Sequence, residues 1–285
     1  MIKNAYAKIN LALEILQKRQ DGYHEVKTVM QKVSLCDTVS VNLRDDNSIN
    51  LSCDVYVCEE KDNLAYKAAV LFREEYNKAT GKSFGADISI IKNIPDKAGL
   101  AGGSADCAAV LDCLYQMLPG VTYERIEKIA ASLGSDINFC LEKYKCALCK
   151  GRGTDIFPCQ SYKSGNILIC VPDNGLKTSE IYRLFDDAPV LFGYSPSEEI
   201  LKVLNSGEGD IFPHVLNSFS SICEKDIKDI TEIKNVMKSS GALCAQMSGS
   251  GSSVFGIFAD RCSLENAYNK LSSKYKRLYI CNTVE

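Results

Sequence analysis

Residues 95–105 have the composition of a loop that holds a phosphate group. They read Pro-Asp-Lys-Ala-Gly-Leu-Ala-Gly-Gly-Ser-Ala, and residues 105–114 that follow have the small and apolar side chains of a buried helix. Small residues let backbone N–H groups approach an anion closely, and the N-terminal end of a helix carries partial positive charge. A tight turn between a strand and a helix has the same composition. The segment alone leaves a phosphate loop and a plain turn open.

A second loop of small residues covers positions 248–253, which read Ser-Gly-Ser-Gly-Ser-Ser between the apolar runs 242–247 and 254–258. This pattern predicts a strand, a loop and a second strand. A single Ser/Gly loop is usually a hairpin or a flexible connection. Two such loops, far apart along the chain, indicate two parts of the molecule that meet at one anionic ligand.

The common nucleotide motifs are not present in their complete form. Residues 81–83 read Gly-Lys-Ser like the end of a Walker A loop, but the upstream glycine position holds Tyr76. Gly249 and Gly251 begin a dinucleotide fingerprint whose third glycine position holds Val254. No catalytic-loop or metal-binding signature of protein kinases occurs. A chain that handles nucleotide phosphates with these loops would use another fold.

The N-terminal segment alternates between apolar and other residues over positions 5–15, which predicts a strand. The period of two puts Lys8 and Asn10 on one face, so an ammonium and an amide would lie side by side. A solvated strand face is the alternative for a lysine in this pattern. After this strand, Asp21 and Gly22 predict a turn, and Tyr23 and His24 follow it. Base recognition by these two rings and an ordinary half-buried hairpin pair are both open.

The residue pattern of the remaining chain predicts alternating strands and helices. Strands are expected at 39–43, 49–53, 86–91, around Cys146, at 167–171 and at 277–284, and a helix at 123–133. A further helix is expected over 63–77 with Asp62 as its N-cap, because apolar residues recur there at helical spacing. Pattern alone predicts mixed α and β structure in two lobes, because 285 residues exceed the usual size of one domain.

Composition excludes several classes of protein. A net charge of −3 and a pI near 5.6 argue against non-specific binding of nucleic acid. The sequence has no stretch of about 20 apolar residues, which a membrane span requires. We therefore expect neither secretion nor membrane insertion, and a cytoplasmic location. The 14 cysteines are then expected to be reduced thiols. Cys146 and Cys149 form a C-x-x-C with Cys140 and Cys159 nearby, but positions three apart on a strand face opposite ways, which disfavours a metal site.

The motifs together resemble the superfamily of galactokinase, homoserine kinase, mevalonate kinase and phosphomevalonate kinase (the GHMP kinases). The resemblance rests on the strand at 7–11, the turn at 21–24 and the loops at 99–105 and 247–253, in that order, and extends over essentially the whole chain. The turn Asp-Gly-Tyr-His is the specific motif and resembles the isoprenoid-pathway branch. The resemblance implies an ATP-dependent kinase that phosphorylates the 2-hydroxyl of a diphosphocytidyl methylerythritol in the non-mevalonate pathway.

The resemblance also implies the roles of individual residues. Lys8 and Asp136 would be the catalytic pair. Phosphoryl transfer needs a positioned hydroxyl, a nearby carboxylate and neutralised phosphate charge. The residues implied to bind the cytidine substrate are Asn10, Tyr23, His24, Thr178 and Tyr182. Those implied to bind ATP are Asn63, Lys92, Pro95, Asp96, Lys97, Ala98, Gly99, Leu100, Ala101, Gly102, Gly103, Ser104 and Ala105.

The implied fold is α+β, with an N-terminal ATP-binding lobe over 1–158 that is mixed α/β and ribosomal-protein-like, and a ferredoxin-like C-terminal lobe over 159–285. Mg²⁺ is expected with ATP, while no cluster of carboxylates predicts a metal site in the protein. Expected partners are the small-molecule cytidine diphosphate substrate, with no nucleic acid and no membrane, in a monomer or homodimer. The alternatives are another small-alcohol kinase of the superfamily and a catalytically silent ligand sensor.

Overall fold

A computed structural model of the chain describes residues 1–141 and 143–284. The described chain forms two compact units, and each combines segments that are distant in sequence. Unit 1 comprises Met1–Ala7, Cys36–Asp96 and Ala101–Tyr144, and unit 2 comprises Lys8–Leu35, Lys97–Leu100 and the residues from Lys145 onward. The predicted lobes, 1–158 and 159–285, follow the chain order instead. That boundary stays a prediction.

The first two strands, β1 (Ile2–Lys18) and β2 (His24–Arg44), are long and contribute to both units. Unit 1 adds to them β3 (Ile49–Cys53), α1 (Leu64–Thr80), β4 (Gly85–Ile91), α2 (Gly102–Met117), α3 (Tyr123–Leu133) and the short α4 (Ile137–Cys140). Strand β4 pairs antiparallel with β2 and parallel with β3. Helix α1 packs against α2 and α3, and α2 packs against α4.

The helices of unit 1 begin and end as local chemistry requires. Helix α1 is capped by Asn63, whose side chain accepts a hydrogen bond from the backbone N–H of Ala65. It ends at Gly81, which takes the left-handed conformation that glycine adopts without strain. The prediction that Asp62 caps this helix was therefore wrong by one residue. Asp62 is instead the last residue of a 3-10 turn before the helix.

Unit 2 contains the hairpin of β1 and β2 and the strands that extend it, β5 (Cys146–Lys150) and β6 (Asp155–Pro158). Strand β5 pairs antiparallel with residues Thr28–Gln31 of β2 and, on its other side, with β6. The turn between β1 and β2 is closed by the N–H of Arg19, which donates to the carbonyl of Tyr23 at 2.7 Å. Gly22 has φ +84° in this turn, so its position suits a glycine.

The rest of unit 2 has a second sheet with strand order β10-β7-β9-β8. Its elements are β7 (Ile167–Val171), α5 (Thr178–Asp187), α6 (Pro196–Ser206), α7 (Ser220–Asp226), α8 (Lys228–Ser239), β8 (Ala242–Met247), β9 (Val254–Phe258), α9 (Arg261–Ser272) and β10 (Arg277–Cys281). All the pairs in this sheet are antiparallel, and helices α8 and α9 pack against it. This order is that of a split β-α-β, which confirms the predicted ferredoxin-like arrangement.

Candidate functional site

Lys8 and Asn10 lie on the same face of β1, and that face is buried. Their exposed fractions are 3% and 2%, so the solvated strand face is excluded. The Lys8 Nζ donates to Asn10 Oδ1 at 2.7 Å. The amide of Asn10 in turn donates from Nδ2 to Thr28 Oγ1 at 2.8 Å, and the Thr28 hydroxyl donates a hydrogen bond to the carbonyl of Ala12 at 2.6 Å. This chain of hydrogen bonds fixes Asn10 with its oxygen toward the ammonium.

The two small-residue loops meet in unit 2, as their pairing in the sequence indicated. Ser248 Oγ donates to the carbonyl of Gly99 at 3.0 Å, and the N–H of Ser253 donates to the carbonyl of Ala98 at 3.2 Å. Gly99 has φ +76°, and a Cβ there would lie 2.2 Å from the carbonyl oxygen of Ser248. Only a glycine fits this position, because both the backbone angle and the contact exclude a side chain.

The Lys8 ammonium lies against this meeting point. A Cβ built on Gly249 would be 3.2 Å from Lys8 Nζ and 3.0 Å from the carbonyl oxygen of Gly99. The backbone N–H of Lys8 donates to the carbonyl of Leu100 at 3.1 Å, and the N–H of Asn10 donates to Ser248 Oγ at 3.3 Å. The structure thus places a buried cation beside two loops of small residues, and its charge is the one that would attract an anionic ligand.

The side chain of Asn217 holds the second loop in place through hydrogen bonds to its backbone. Its Nδ2 donates to the carbonyls of Met247 and Gly249, both at 2.9 Å, and its Oδ1 accepts from the N–H of Phe219. The residue is buried, so each of these bonds replaces water that the loop backbone would otherwise need. The amide therefore holds the loop at both ends of the Ser248 position.

The first loop leads directly into α2. Lys97, Gly99 and Ala101 all have positive φ, at 52°, 76° and 60°. Positive φ is uncommon for lysine and alanine, and its recurrence at alternate residues produces turns in which backbone N–H groups converge. Ala101 is the N-cap of α2 and has no side chain that accepts a hydrogen bond. The N–H groups of the first helical turn are thus not satisfied by a capping side chain.

The Lys92 side chain lies in a buried ionic cluster of unit 1. Its Nζ bonds the Asp37 carboxylate and, at 2.6 Å, Asp106 Oδ2. Burial raises the pKa of Asp106 to about 7, while Lys92 acts in the opposite direction. The pKa of the Lys92 ammonium is raised, because the two carboxylates outweigh the effect of burial. Asp37 also accepts from the backbone N–H groups of Asn93 and Ile94.

Two other predicted residues lie at the start of helices in unit 1. Asn63 is the cap of α1 described above, and its side chain also lies near Cys53 Sγ. Asp136 is the N-cap residue of α4, and its carbonyl accepts from the N–H of Cys140 at 3.1 Å. Its role as partner of Lys8 in catalysis stays a prediction.

One face of α5 carries Thr178, Tyr182 and Asp186 at intervals of four residues, which places them in a row. Thr178 Oγ1 and Ser250 Oγ are 2.9 Å apart, so the start of the helix contacts the second loop. Tyr182 stacks on His24 with ring centroids 5.2 Å apart. Asp186 Oδ1 lies 2.7 Å from His24 Nε2. The helix thus joins the second loop to the turn after β1.

Tyr23 and His24 are neighbours in the chain but differ in their exposure. His24 is buried, while Tyr23 is 53% exposed and lies under the guanidinium of Arg152, 3.6 Å from the ring centroid. The roles of Tyr23 and Tyr182 in binding the cytidine substrate stay predictions, and here the Tyr182 ring stacks on His24. An imidazole contact to a base edge would use Nδ1, because Nε2 is held by Asp186.

Sequence reasoning missed Asp37, Arg152, Asp186 and Asn217. Asp186 had a usable signal, because it follows Thr178 and Tyr182 at helical spacing in a segment already expected to bind substrate. Arg152 stands between two glycines, a pattern that predicts a turn and carries no sign of a functional role. Asp37 and Asn217 act through contacts with residues far away in sequence, so no local pattern marks them.

Two kinds of feature are absent from residues 1–141 and 143–284. No group of three or more His, Cys, Asp or Glu side chains there could hold a metal ion. No helix in the same residues has the length and apolar character needed to cross a membrane.

Two family models match the chain. The one for the GHMP kinases N terminal domain matches residues 63–142, and the one for the GHMP kinases C terminal matches residues 223–277. The first match includes Asn63, Lys92, the first loop and Asp136. It ends before β5, and the second match contains the loop 248–253.

Curated proteins match the chain over its full length. It is 38% identical over 282 residues to a 4-diphosphocytidyl-2-C-methyl-D-erythritol kinase of Clostridium beijerinckii, which covers 98% of this chain and 99% of that protein. It is 35% identical over 286 residues to the protein of the same name from Clostridium botulinum, with 100% of both chains covered.

Solved structures give the same result. A crystal structure of 4-(cytidine 5'-diphospho)-2C-methyl-D-erythritol kinase superposes with a TM-score of 0.81 at 31% identity, covering 99% of this chain and 98% of the other. A homoserine kinase from Cytophaga hutchinsonii superposes with a TM-score of 0.69 at 16% identity, over 98% and 94% of the two chains. The second likeness shows the fold alone.

The contact of the two loops predicts that alanine substitutions at two glycines differ in their effect on stability. Gly99→Ala should lower the free energy of unfolding by about 2 kcal/mol or more, because it combines an unfavourable φ with a clash against backbone. Gly103→Ala is the matched control, since no atom lies within 4 Å of a Cβ there. Urea denaturation checks both. Equal stability of the two variants would contradict the contact.

The raised pKa of Asp106 predicts a pH dependence of stability. The folded protein holds this proton up to about pH 7, whereas the unfolded chain releases it near its ordinary value of 3.8. Between these values the folded state binds more protons, so the contribution to the free energy of unfolding falls as pH rises, by at most ~1.4 kcal/mol per pH unit.

Asp106→Asn removes this titration. Urea denaturation at pH 5 and pH 7 should therefore show that the wild-type protein loses stability relative to the variant as pH rises. Asp45→Asn, which changes an exposed carboxylate of the same unit, should follow the wild type. Parallel profiles for the wild type and Asp106→Asn would show that the buried carboxylate does not titrate in this range.

Proposed function

The chain belongs to the family of 4-diphosphocytidyl-2-C-methyl-D-erythritol kinases, and we propose that it transfers the γ-phosphoryl group of ATP to the 2-hydroxyl of 4-diphosphocytidyl-2-C-methyl-D-erythritol. The observation that carries the proposal is the buried Lys8 ammonium at the contact of the two small-residue loops. An ammonium held there by Asn10 is preorganised for phosphate oxygens before any ligand arrives.

In the proposed mechanism the protein positions the reactants and stabilises charge. Asp136 accepts the proton of the acceptor hydroxyl, and Lys8 neutralises negative charge that develops on the transferred phosphoryl group. Asn10 keeps the ammonium in place, because its Oδ1 accepts from Nζ while its Nδ2 is fixed by Thr28. Correct placement of the hydroxyl, the carboxylate and the phosphate supplies a large part of the rate enhancement.

The proposed donor site is the loop of residues 95–105 and the first turn of α2. Its backbone N–H groups would bind the phosphates of ATP, and Ser104 supplies the hydroxyl of this loop. Mg²⁺ would enter with ATP, bound by the phosphate oxygens, and would neutralise part of their charge. The cluster around Lys92 is proposed to fix the start of the loop rather than to contact adenosine.

The proposed cytidine site lies at the turn after β1 and along α5. Tyr23 offers an exposed ring for stacking with the base, and His24, Thr178 and Tyr182 border the same region of unit 2. Arg152 lies on the Tyr23 ring, where its charge would favour the diphosphate of the substrate. The row of residues on α5 connects this region to the loop beside Lys8.

The first test is ADP release by the purified protein with ATP and Mg²⁺. We expect turnover with 4-diphosphocytidyl-2-C-methyl-D-erythritol and none with mevalonate, homoserine or galactose. Turnover with one of the other alcohols would support kinase activity but refute the proposed substrate. Binding of ATP without turnover of any acceptor would refute the kinase and favour a ligand sensor.

Asp136→Asn should lower kcat by about 10²- to 10⁴-fold, because a neutral amide cannot accept the hydroxyl proton. ATP affinity, measured by calorimetry, should remain within about twofold of the wild type, since the carboxylate acts on the acceptor. Asp45→Asn is the control for a change of one exposed charge. Full turnover by Asp136→Asn would refute the mechanism.

Tyr23→Ala should raise KM for the cytidine substrate, because stacking of a base on an aromatic ring contributes about 1–3 kcal/mol, or roughly 5- to 150-fold in affinity. The value of kcat should change much less, because the ring is remote from the transferred group. Tyr23→Phe retains the ring and should behave like the wild type. Steady-state kinetics of the three proteins distinguish stacking from loss of the hydroxyl, and an unchanged KM in Tyr23→Ala would exclude the base contact.

A further inference from the structure

Cys146 and Cys159 lie opposite each other in the β5–β6 hairpin of unit 2, with their sulfurs 3.3 Å apart. We propose that this pair is a thiol–disulfide site, oxidised by a low-molecular-weight disulfide such as oxidised glutathione. The site is separate from the residues proposed to act in phosphoryl transfer.

The backbone already has the geometry of a cross-strand disulfide. The register of the hairpin pairs Ala147 with Pro158, so the next positions outward bring Cys146 and Cys159 face to face. The N–H of Cys159 donates to the carbonyl of Cys146 at 3.1 Å. Opposite residues in an antiparallel pair have Cα atoms about 4.5–5.5 Å apart, within the range of about 4.4–6.8 Å that disulfides require. Rotation of the side chains is therefore sufficient to join the sulfurs.

The two thiols differ in the way that stepwise oxidation requires. Cys159 is partly exposed, whereas Cys146 is buried. The hydrogen bond with Cys146 lowers the pKa of the Cys159 thiol, and the same interaction together with burial raises the pKa of Cys146. Cys159 is thus the thiol that ionises first and that a small oxidant reaches.

The reaction proceeds by two exchanges. The Cys159 thiolate attacks one sulfur of the small disulfide, forms a mixed disulfide and releases one small thiolate. Cys146 then loses its proton to solvent and attacks the sulfur of Cys159, which releases the second small thiolate. The two protein thiols lose two electrons and two protons in total, and the small disulfide is reduced to two thiols.

Other cysteines lack one of these features. Cys149 belongs to the same C-x-x-C but lies three positions along β5 from Cys146, where side chains face the other side of the strand. Cys107 and Cys140 are near each other in unit 1, but both are buried. Cys262 is exposed at the start of α9. The geometry therefore singles out the pair in the hairpin.

The test is incubation of the folded, reduced protein with oxidised glutathione, followed by acid quench, alkylation of the remaining thiols and mass spectrometry. We expect loss of two hydrogen atoms from the intact mass and a linked peptide that joins Cys146 to Cys159. Dithiothreitol should reverse the change. Cys146→Ser and Cys159→Ser should each abolish this linked peptide, because the bond needs both sulfurs, and Cys146→Ser should leave the mixed disulfide with glutathione on Cys159. Cys149→Ser and Cys262→Ser, the controls for the motif and for exposure, should leave it unchanged.

Three outcomes would overturn the proposal. These are a predominant link between other cysteines, loss of the link in Cys149→Ser, and a stable glutathione adduct on Cys159 that never resolves onto Cys146. The same treatment in urea tests whether the folded hairpin, rather than the short distance along the sequence, selects the pair of cysteines that becomes linked. We expect mixed pairings there, and equal selectivity for the pair in the unfolded chain would show that the hairpin does not select it.

Discussion

The contact between Gly99 and Ser248 is the constraint on which the rest of the site depends. It joins a loop that precedes α2 to the loop between β8 and β9, through the hydrogen bond from the Ser248 hydroxyl to the Gly99 carbonyl and a backbone approach that leaves no room for a side chain at Gly99. Ser248 also accepts from the N–H of Asn10, so the same hydroxyl ties β1 to both loops. Lys8 owes its position to this arrangement, because the loops and Asn10 surround the ammonium. A buried cation is costly in an apolar environment, and the hydrogen bond from Lys8 Nζ to Asn10 Oδ1 offsets part of that cost.

Helix α5 extends this constraint toward the turn after β1. The Thr178 hydroxyl lies on the second loop, while Tyr182 and Asp186 contact His24 one and two turns later. Hydrogen bonds from Lys18 and His24 lower the pKa of Asp186, with Lys18 as the larger effect. The carboxylate thus remains ionised and fixes the imidazole through Nε2. In the proposed complex, the phosphate end and the base end of the substrate would lie along consecutive turns of α5. The length of this helix would then match the distance between the two proposed subsites.

The strands were predictable from the sequence because their apolar runs are continuous or alternate cleanly. Residues 49–53, 167–171, 242–247 and 254–258 form strands with the predicted bounds, and the helix at 123–133 is also as expected. Lys8 was harder, since alternation cannot distinguish a strand with one buried face from a strand buried on both. The cap of α1 was misplaced because Asp62 and Asn63 are both good capping residues, and the 3-10 turn that precedes the helix decides between them. The roles of Asp37 and Asn217 depend on tertiary contacts that no local pattern encodes.

The cluster of Lys92 with Asp37 and Asp106 lies at both ends of the loop 95–105. The Lys92 ammonium bonds both carboxyl groups. Removal of one partner from a buried ion pair costs about 3–5 kcal/mol, so Lys92 is held firmly by these two groups. Asp37 also binds the N–H groups of Asn93 and Ile94, which fixes the backbone immediately before Pro95. Asp106 lies on the first turns of α2, after the loop. Because Lys92 bonds both carboxyl groups, it links the residues immediately before the loop 95–105 to the helix that follows the loop.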